Sequence, residues 1–162
     1  LVRNLRAKGT YGAITTDDKK WGMAVSASGS VNTVGKDSFK WQLNYGTIGR
    51  YMTANHSNDG SLSLTGEMDT VNLLGIQAAY QHWWSLTMRS SWLLGYARAN
   101  NDTQVVGGQV NKMLWSSHLN LLWSPTPVSM VGIEYLYAYR ELEDGMEGAL
   151  NRIQMSGRYD FW

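Results

Sequence analysis

The sequence predicts an all-β protein, namely a transmembrane antiparallel up-and-down β-barrel with about eight strands. Apolar and polar residues alternate along most of the 162 residues, whereas helical spacing is rare. The segments that join the alternating stretches differ in length in a regular way. Tryptophan (8) and tyrosine (9) far outnumber phenylalanine (2), and no run of about 18 apolar residues could form a membrane helix.

The strand prediction rests on alternation with a period of two residues. In the clearest stretch, Phe39, Trp41, Leu43 and Tyr45 alternate with polar or small residues. Similar alternation recurs along the chain, in weaker form from about 5 to 13 and from 71 to 84. The predicted strands are roughly 9 to 14 residues long, close to the length that a tilted membrane strand needs.

The connections between these strands are predicted to be alternately short and long. Counted from the C-terminus, every odd connection is longer than its neighbours. Short periplasmic turns and long external loops are typical of outer-membrane barrels, in which an even number of strands puts both termini on the periplasmic side. In chain order, the predicted connections are 14–20, 32–37, 52–70, 82–85, 99–111, 124–128 and 141–151.

The bulky aromatic residues indicate which face of the strands meets lipid. Tryptophan and tyrosine often end the apolar rows, and such rings favour the boundary between membrane and water. The opposite rows consist mostly of glycine, alanine, serine, glutamine and asparagine, unlike a solvated exterior. We therefore expect lipid outside, and a soluble lipocalin-like ligand-binding barrel with its apolar rows inside is an alternative. The predicted membrane-interface aromatics are Trp21, Tyr51, Tyr80, Trp84, Tyr96, Trp123, Tyr139 and Tyr159.

Charged residues are predicted to be sorted between the barrel interior and the connections. The inner rows are expected to hold eight cations and two acids, a net charge of 8 − 2 = +6, while most other acids lie in connections. Fixed cations along a watery path attract anions and repel cations. The predicted pore-lining cations are Arg6, Lys8, Lys40, Arg89, Lys112, Arg140, Arg152 and Arg158, and the predicted lumen acids are Glu134 and Asp160.

These inner charges also bear on the size of the barrel. Eight strands close around an interior that side chains fill, and unpaired cations buried there would each cost several kcal/mol. We therefore expect residues 1–162 to be a single β-barrel domain or the C-terminal half of a larger porin. The opening residues 1–4 lack the apolar stretch of a signal peptide, so we expect a mature product or a fragment. A complete eight-stranded barrel with a filled lumen, acting as an anchor, adhesin or structural protein, is the alternative.

Composition and motifs argue against several other functions. A net charge of +1 argues against a nucleic-acid binder, and the lack of cysteine excludes disulfides, thiolate zinc sites and a cysteine nucleophile. Ser116 and His118 share one face of a strand, but no acid completes a catalytic set. The acidic residues in 141–147 match no calcium-binding loop. We therefore expect no enzyme activity, no metal and no cofactor.

Several motifs in the last third of the sequence carry a family resemblance. They are Gly132-Ile133-Glu134-Tyr135-Leu136-Tyr137, Arg140-Glu141-Leu142-Glu143-Asp144-Gly145, Gly148, Asn151-Arg152-Ile153-Gln154 and Tyr159-Asp160-Phe161. Together they resemble the end of DcaP-like outer-membrane porins.

This resemblance implies a trimeric barrel of about sixteen strands in the bacterial outer membrane, in contact with lipid and lipopolysaccharide. It also implies a channel that favours small anionic solutes, dicarboxylates among them. By the same resemblance, Arg140 and Arg152 are basic positions that flank the last external loop, and Glu134 is the acid on the preceding strand.

Overall fold

The computed structural model describes residues 1–52 and 58–161. It contains mostly strands, together with two single-turn helices. The elements are β1 (Val2–Tyr11), β2 (Ile14–Asn32), β3 (Ser38–Gly46), α1 (Gly49–Met52), β4 (Gly60–Leu62), β5 (Met68–Thr70), β6 (Asn72–Trp83), β7 (Met88–Asn100), α2 (Thr103–Val106), β8 (Asn111–Thr126), β9 (Ser129–Leu142) and β10 (Glu147–Tyr159).

Eight of the strands form one sheet in the order β1-β2-β3-β6-β7-β8-β9-β10, and β4 pairs with β5 separately. Every neighbouring pair in the sheet is antiparallel. The predicted all-β fold class and up-and-down order are thereby confirmed. In the described part of the chain the sheet is open, because β1 and β10 each pair with one neighbour only. None of the described helices is long and apolar enough to cross a membrane.

The first predicted connection, 14–20, is wrong. These residues belong to β2, which is 19 residues long, and the hairpin turns instead at Gly12, whose φ is +64°. The segment extends as strand because its alternate residues, Thr16 and Asp18, bond to another part of the chain. A tight turn thus stands where a long loop was expected.

The other connections keep the predicted alternation, although their bounds differ. The two longest are 47–71, which contains α1, β4 and β5, and 101–110, which contains α2. The last connection shortens to 143–146 because cross-strand pairing continues as far as Glu141 and Glu147. The turns at the other end of the sheet, 33–37, 84–87 and 127–128, are short.

The strand register divides the side chains between two faces. Leu43, Ile76, Tyr96, Trp115 and Tyr139 are cross-strand neighbours in one row, so they share a face. In the adjacent row, the neighbours are Gln42, Gln77, Gly95, Ser116 and Ala138. We call the first the aromatic face and the second the polar face.

The described parts of the long segment 47–71, namely 47–52 and 58–71, pack on the polar face. Ile48 and Met68 form a buried cluster with Leu5 of β1 and Ala24 of β2. Thr16 donates a hydrogen bond to the carbonyl of Gly66. The backbone N–H of Met68 donates to Asp18 at 2.8 Å. The segment therefore covers part of the face that carries the polar residues.

Candidate functional site

The polar face carries five of the predicted pore-lining cations, namely the four residues Lys40, Arg89, Arg140 and Arg152, together with Arg158, which pairs with Asp160. Lys40 and Arg152 belong to one cross-strand row that also contains His118. Arg140 lies nearer the long connections, and Arg89 lies beside the short turns. None of these four forms an ion pair with any residue in 1–52 or 58–161. Their positive charge is therefore not cancelled by a direct carboxylate partner within the described chain.

Arg89 is held in place by weaker contacts. Its guanidinium group lies 5.1 Å from the centre of the Trp83 ring. It also donates to the sulfur of Met130 at 3.7 Å. A cation above an indole is attracted by the negative face of the ring, which orients the guanidinium without removing its charge.

Two further predicted cations are paired. Lys112 lies in a β-bulge between Asn111 and Met113, and its ammonium donates to Glu141 at 2.6 Å. Arg158 makes a bidentate pair with Asp160 at 2.8 and 2.9 Å. The lumen acid Glu134 has a different neighbour, because its Oε1 lies 3.5 Å from Nδ1 of His118.

The prediction that all eight cations share one face is wrong for Arg6 and Lys8. Arg6 is the cross-strand neighbour of Lys19, and Lys8 is the neighbour of Asp17, so both lie on the aromatic face. The reason is the register of β1, whose odd residues turn towards the polar face. There, Leu5 is buried against segment 47–71. Alternation within β1 alone does not reveal this choice of face.

The same register brings two unpredicted cations to the polar face. Arg3 donates to the hydroxyl of Tyr51 and also lies 4.9 Å from the centre of that ring. Lys20 approaches Asp69 of segment 47–71 at 3.4 Å. A sequence signal for Lys20 was present, because it occupies an even position like Ser26 and Ser28 of the same strand. The face of Lys20 becomes evident only because 14–20 belongs to β2 and not to a loop.

Seven of the eight predicted interface aromatics lie on the aromatic face, and Tyr51 does not. Tyr51 belongs to α1 within segment 47–71, where its hydroxyl meets Arg3 on the polar side of the sheet. The expectation for this residue is therefore corrected. The other seven are Trp21, Tyr80, Trp84, Tyr96, Trp123, Tyr139 and Tyr159.

The height of the aromatic face is close to that of the apolar band of an outer-membrane barrel. On β8, Trp115 and Trp123 are eight residues apart, which corresponds to about 27 Å along a strand and, at the usual tilt of barrel strands, to about 20 Å along the membrane normal. The apolar band of outer-membrane barrels is about 25 Å tall and is flanked by aromatic girdles. Trp21, Trp92 and Trp123 are more than half exposed in the isolated chain, as lipid-facing side chains would be.

A depression of about 330 Å³ lies among the polar-face residues. Its lining includes Lys40, Gln81, His118, Asn120 and Glu134. The amide, hydroxyl and charged groups of this lining can bind water and hydrated solutes, and Ala79 and Leu93 add apolar surface between them. Among residues 1–52 and 58–161, no group of three or more His, Cys, Asp or Glu side chains is placed to hold a metal ion.

A carboxylate network stabilises the short-turn end. Asp37 is only 6% exposed. It accepts hydrogen bonds from the backbone N–H of Trp83 at 2.8 Å, from His82 Nδ1 at 2.6 Å and from the Tyr80 hydroxyl at 3.1 Å. These bonds, that of Trp83 first, lower the pKa of Asp37 below its ordinary value. Asp37 is therefore ionised at neutral pH and joins the turn to β6.

An antiparallel sheet with one exposed aromatic face and one polar, cation-bearing face is the wall of a membrane β-barrel. The family model of the DcaP outer membrane protein matches residues 14–161. The chain therefore belongs to the DcaP outer membrane protein family and resides in the bacterial outer membrane. This localisation replaces the alternative of a soluble ligand-binding barrel.

Among solved structures, the chain is similar to the outer membrane channel DcaP of Acinetobacter baumannii. The two are 17% identical in sequence, and the TM-score is 0.79. The similarity covers 90% of this chain and 42% of that channel, so the chain spans less than half the length of the solved structure. No curated protein matches the sequence.

Proposed function

We propose that this chain forms part of the wall of a passive outer-membrane diffusion channel that favours small anionic solutes. The observation that carries the proposal is the presence of Lys40, Arg89, Arg140 and Arg152 on one polar face without ion pairs in the described chain. Selection would arise from charge and width, with no reaction step.

The size of this electrostatic effect follows from Coulomb's law. A unit charge about 6 Å from a fixed cation in water is stabilised by about 0.7 kcal/mol, or roughly threefold in local concentration. The effect scales with the charge of the solute, so a dicarboxylate gains about tenfold beside the same cation. This scaling supports dicarboxylates as preferred solutes, in agreement with the family resemblance.

We also propose that the sheet is completed by further strands into a wider barrel. The outer edges of β1 and β10 have unpaired backbone groups in the described structure, and such groups cost several kcal/mol each in lipid. A wider barrel would also keep the four cations hydrated. A homotrimer in contact with lipid and lipopolysaccharide is the assembly that the family resemblance suggests.

Reversal potentials in planar bilayers test the channel proposal. The full-length protein is compared with a variant that carries Lys40→Gln, Arg89→Gln, Arg140→Gln and Arg152→Gln. We expect open, anion-selective current from the parent and a several-fold lower ratio of chloride to potassium permeability from the variant.

Two controls make this test specific. Lys19→Gln removes a charge from the aromatic face and should leave the selectivity unchanged, and Arg140→Lys keeps both the position and the charge. If the fourfold variant retained the parent's selectivity, the proposal would be wrong. A bilayer that stays silent with correctly folded parent protein would instead support the barrel with a filled lumen.

A further inference from the structure

The hairpin of β1 and β2 presents basic residues on the aromatic face beyond its apolar part. Moving along the hairpin towards its turn, the first cross-strand pair on this face is Val2 with Met23, and the next is Asn4 with Trp21. Arg6 with Lys19 follows, and then Lys8 with Asp17. The surface thus changes from apolar to aromatic to basic within a few residues. We call Arg6, Lys8, Asp17 and Lys19 the basic patch.

The depth of the basic patch matches the headgroup layer of a bilayer. Arg6 and Lys19 lie two residues beyond the pair that contains Trp21, which is about 7 Å along the strand. Headgroup layers are about 5 to 7 Å thick on each side of the hydrocarbon core. With Trp21 at the boundary of the hydrocarbon, the patch lies where the lipid headgroups are. Because the turn at Gly12 is at the same end as the long connections, this leaflet is the outer one.

We propose that the basic patch binds the phosphate groups of lipopolysaccharide in the outer leaflet. Three cations and one carboxylate leave it a net charge of +2. Asp17 accepts from Nε and Nη2 of Arg6, both at 2.7 Å, and the remaining guanidinium N–H groups can donate to a phosphate. The inference depends on the orientation in the membrane and on the family's localisation, but not on which solute the channel prefers.

The hairpin is a rigid support for this patch. Its opposite face is fastened to segment 47–71 through the Leu5 cluster and through the hydrogen bonds of Thr16 and Asp18. Arg6 is already held by its bidentate pair with Asp17. Binding a phosphate therefore requires little ordering of the backbone, which favours affinity.

The other edge of the sheet carries the opposite charge. On β9 and β10, the last cross-strand pair of the aromatic face is Glu141 with Glu147, just beyond Tyr139. Tyr139 donates a hydrogen bond to Glu147. These carboxylates repel phosphates, so the β9–β10 side does not contribute to the site. The charge is thus distributed unevenly around the wall.

Adjacent lysines on β2 provide a matched test. Lys19 points to the aromatic face, whereas Lys20 points to the polar face and approaches Asp69. The full-length protein, freed of bound lipid in detergent, is titrated with fluorescent lipopolysaccharide and with the same lipopolysaccharide after enzymatic removal of its phosphates. Native mass spectrometry of each variant gives the oligomeric state.

We expect Lys19→Gln to weaken binding of intact lipopolysaccharide about fivefold and Lys8→Gln with Lys19→Gln about twentyfold, since each headgroup-level cation contributes on this scale. Lys20→Gln should change affinity by less than about twofold. The difference in affinity between the parent and the Lys19→Gln variants should disappear with dephosphorylated lipopolysaccharide and should become smaller at high salt. Channel selectivity should be the same in the parent, in Lys19→Gln and in the double variant, whose changes lie on the aromatic face, and this separates the inference from the proposed solute preference.

Several results would overturn the inference. Equal losses for Lys19→Gln and Lys20→Gln would show that the face of the hairpin is irrelevant. Equal binding of intact and dephosphorylated lipopolysaccharide would exclude phosphate as the ligand. If the double variant lost its oligomeric state and kept its affinity for lipopolysaccharide, the patch would be a contact between protein copies.

Discussion

Ile48→Ala is expected to detach segment 47–71 from the polar face while the sheet stays folded. Ile48 is fully buried among Leu5, Ala24 and Met68. Truncation of a buried isoleucine to alanine costs about 2 to 5 kcal/mol. The cross-strand hydrogen bonds do not involve this side chain, so the substitution lowers the free energy with which the segment packs on the sheet and leaves the sheet itself intact. Even 2 kcal/mol raises the detached fraction about thirtyfold.

Limited trypsin digestion of the folded protein measures this detachment. Arg50 is an exposed cleavage site in α1, inside the segment. When reattachment is faster than cleavage, the cleavage rate follows the detached fraction, so Ile48→Ala should be cut about thirtyfold faster or more. Leu64→Ala is the control, because Leu64 lies in the same segment and is 82% exposed. Equal cleavage rates for the two variants would refute the claim that Ile48 holds the segment against the sheet.

Two further predictions concern the stability of the fold. Asp37→Asn should destabilise the protein at neutral pH, because the carboxylate network needs the charged form. Since the pKa of Asp37 is lowered on folding, its contribution is present above about pH 4 and is lost as the pH falls through the folded value, so unfolding curves of parent and variant should converge in acid. Gly46→Ala should prevent or weaken folding, because a Cβ there would lie 2.2 Å from the carbonyl oxygen of Met23. Gly148→Ala, where a Cβ meets nothing within 4 Å, should fold like the parent in heat-modifiability gels.

The strands inside the membrane part of the sheet were predictable from the sequence. The alternation around 39–46 became β3, and the rows of β8 and β9 place Trp115 and Tyr139 on one face as expected. Successive side chains of these strands meet lipid and water in turn, so the residue type at each position indicates the face on which it lies. The cations on these strands, such as Arg140, could be assigned to a face for the same reason.

The hairpin of β1 and β2 was not predictable in this way. Beyond Trp21 both faces meet polar surroundings or protein, so alternation no longer distinguishes them. Leu5 is an apolar residue that turns to the polar face, because Ile48 covers it there. A residue-by-residue pattern therefore assigned Arg6 to the wrong side.

By itself, the sequence determined the class of protein, the number of strands in the main sheet and the two-faced character of that sheet, because the period of two residues is a local property of the chain. Only the tertiary structure decided which way β1 faces and where the connection 47–71 lies. Both depend on the register between strands and on contacts between residues far apart in sequence, such as Asp18 with Met68. A shift of one residue in the register moves every side chain of a strand to the opposite face of the sheet. Such a shift leaves the pattern of residues along the strand unchanged.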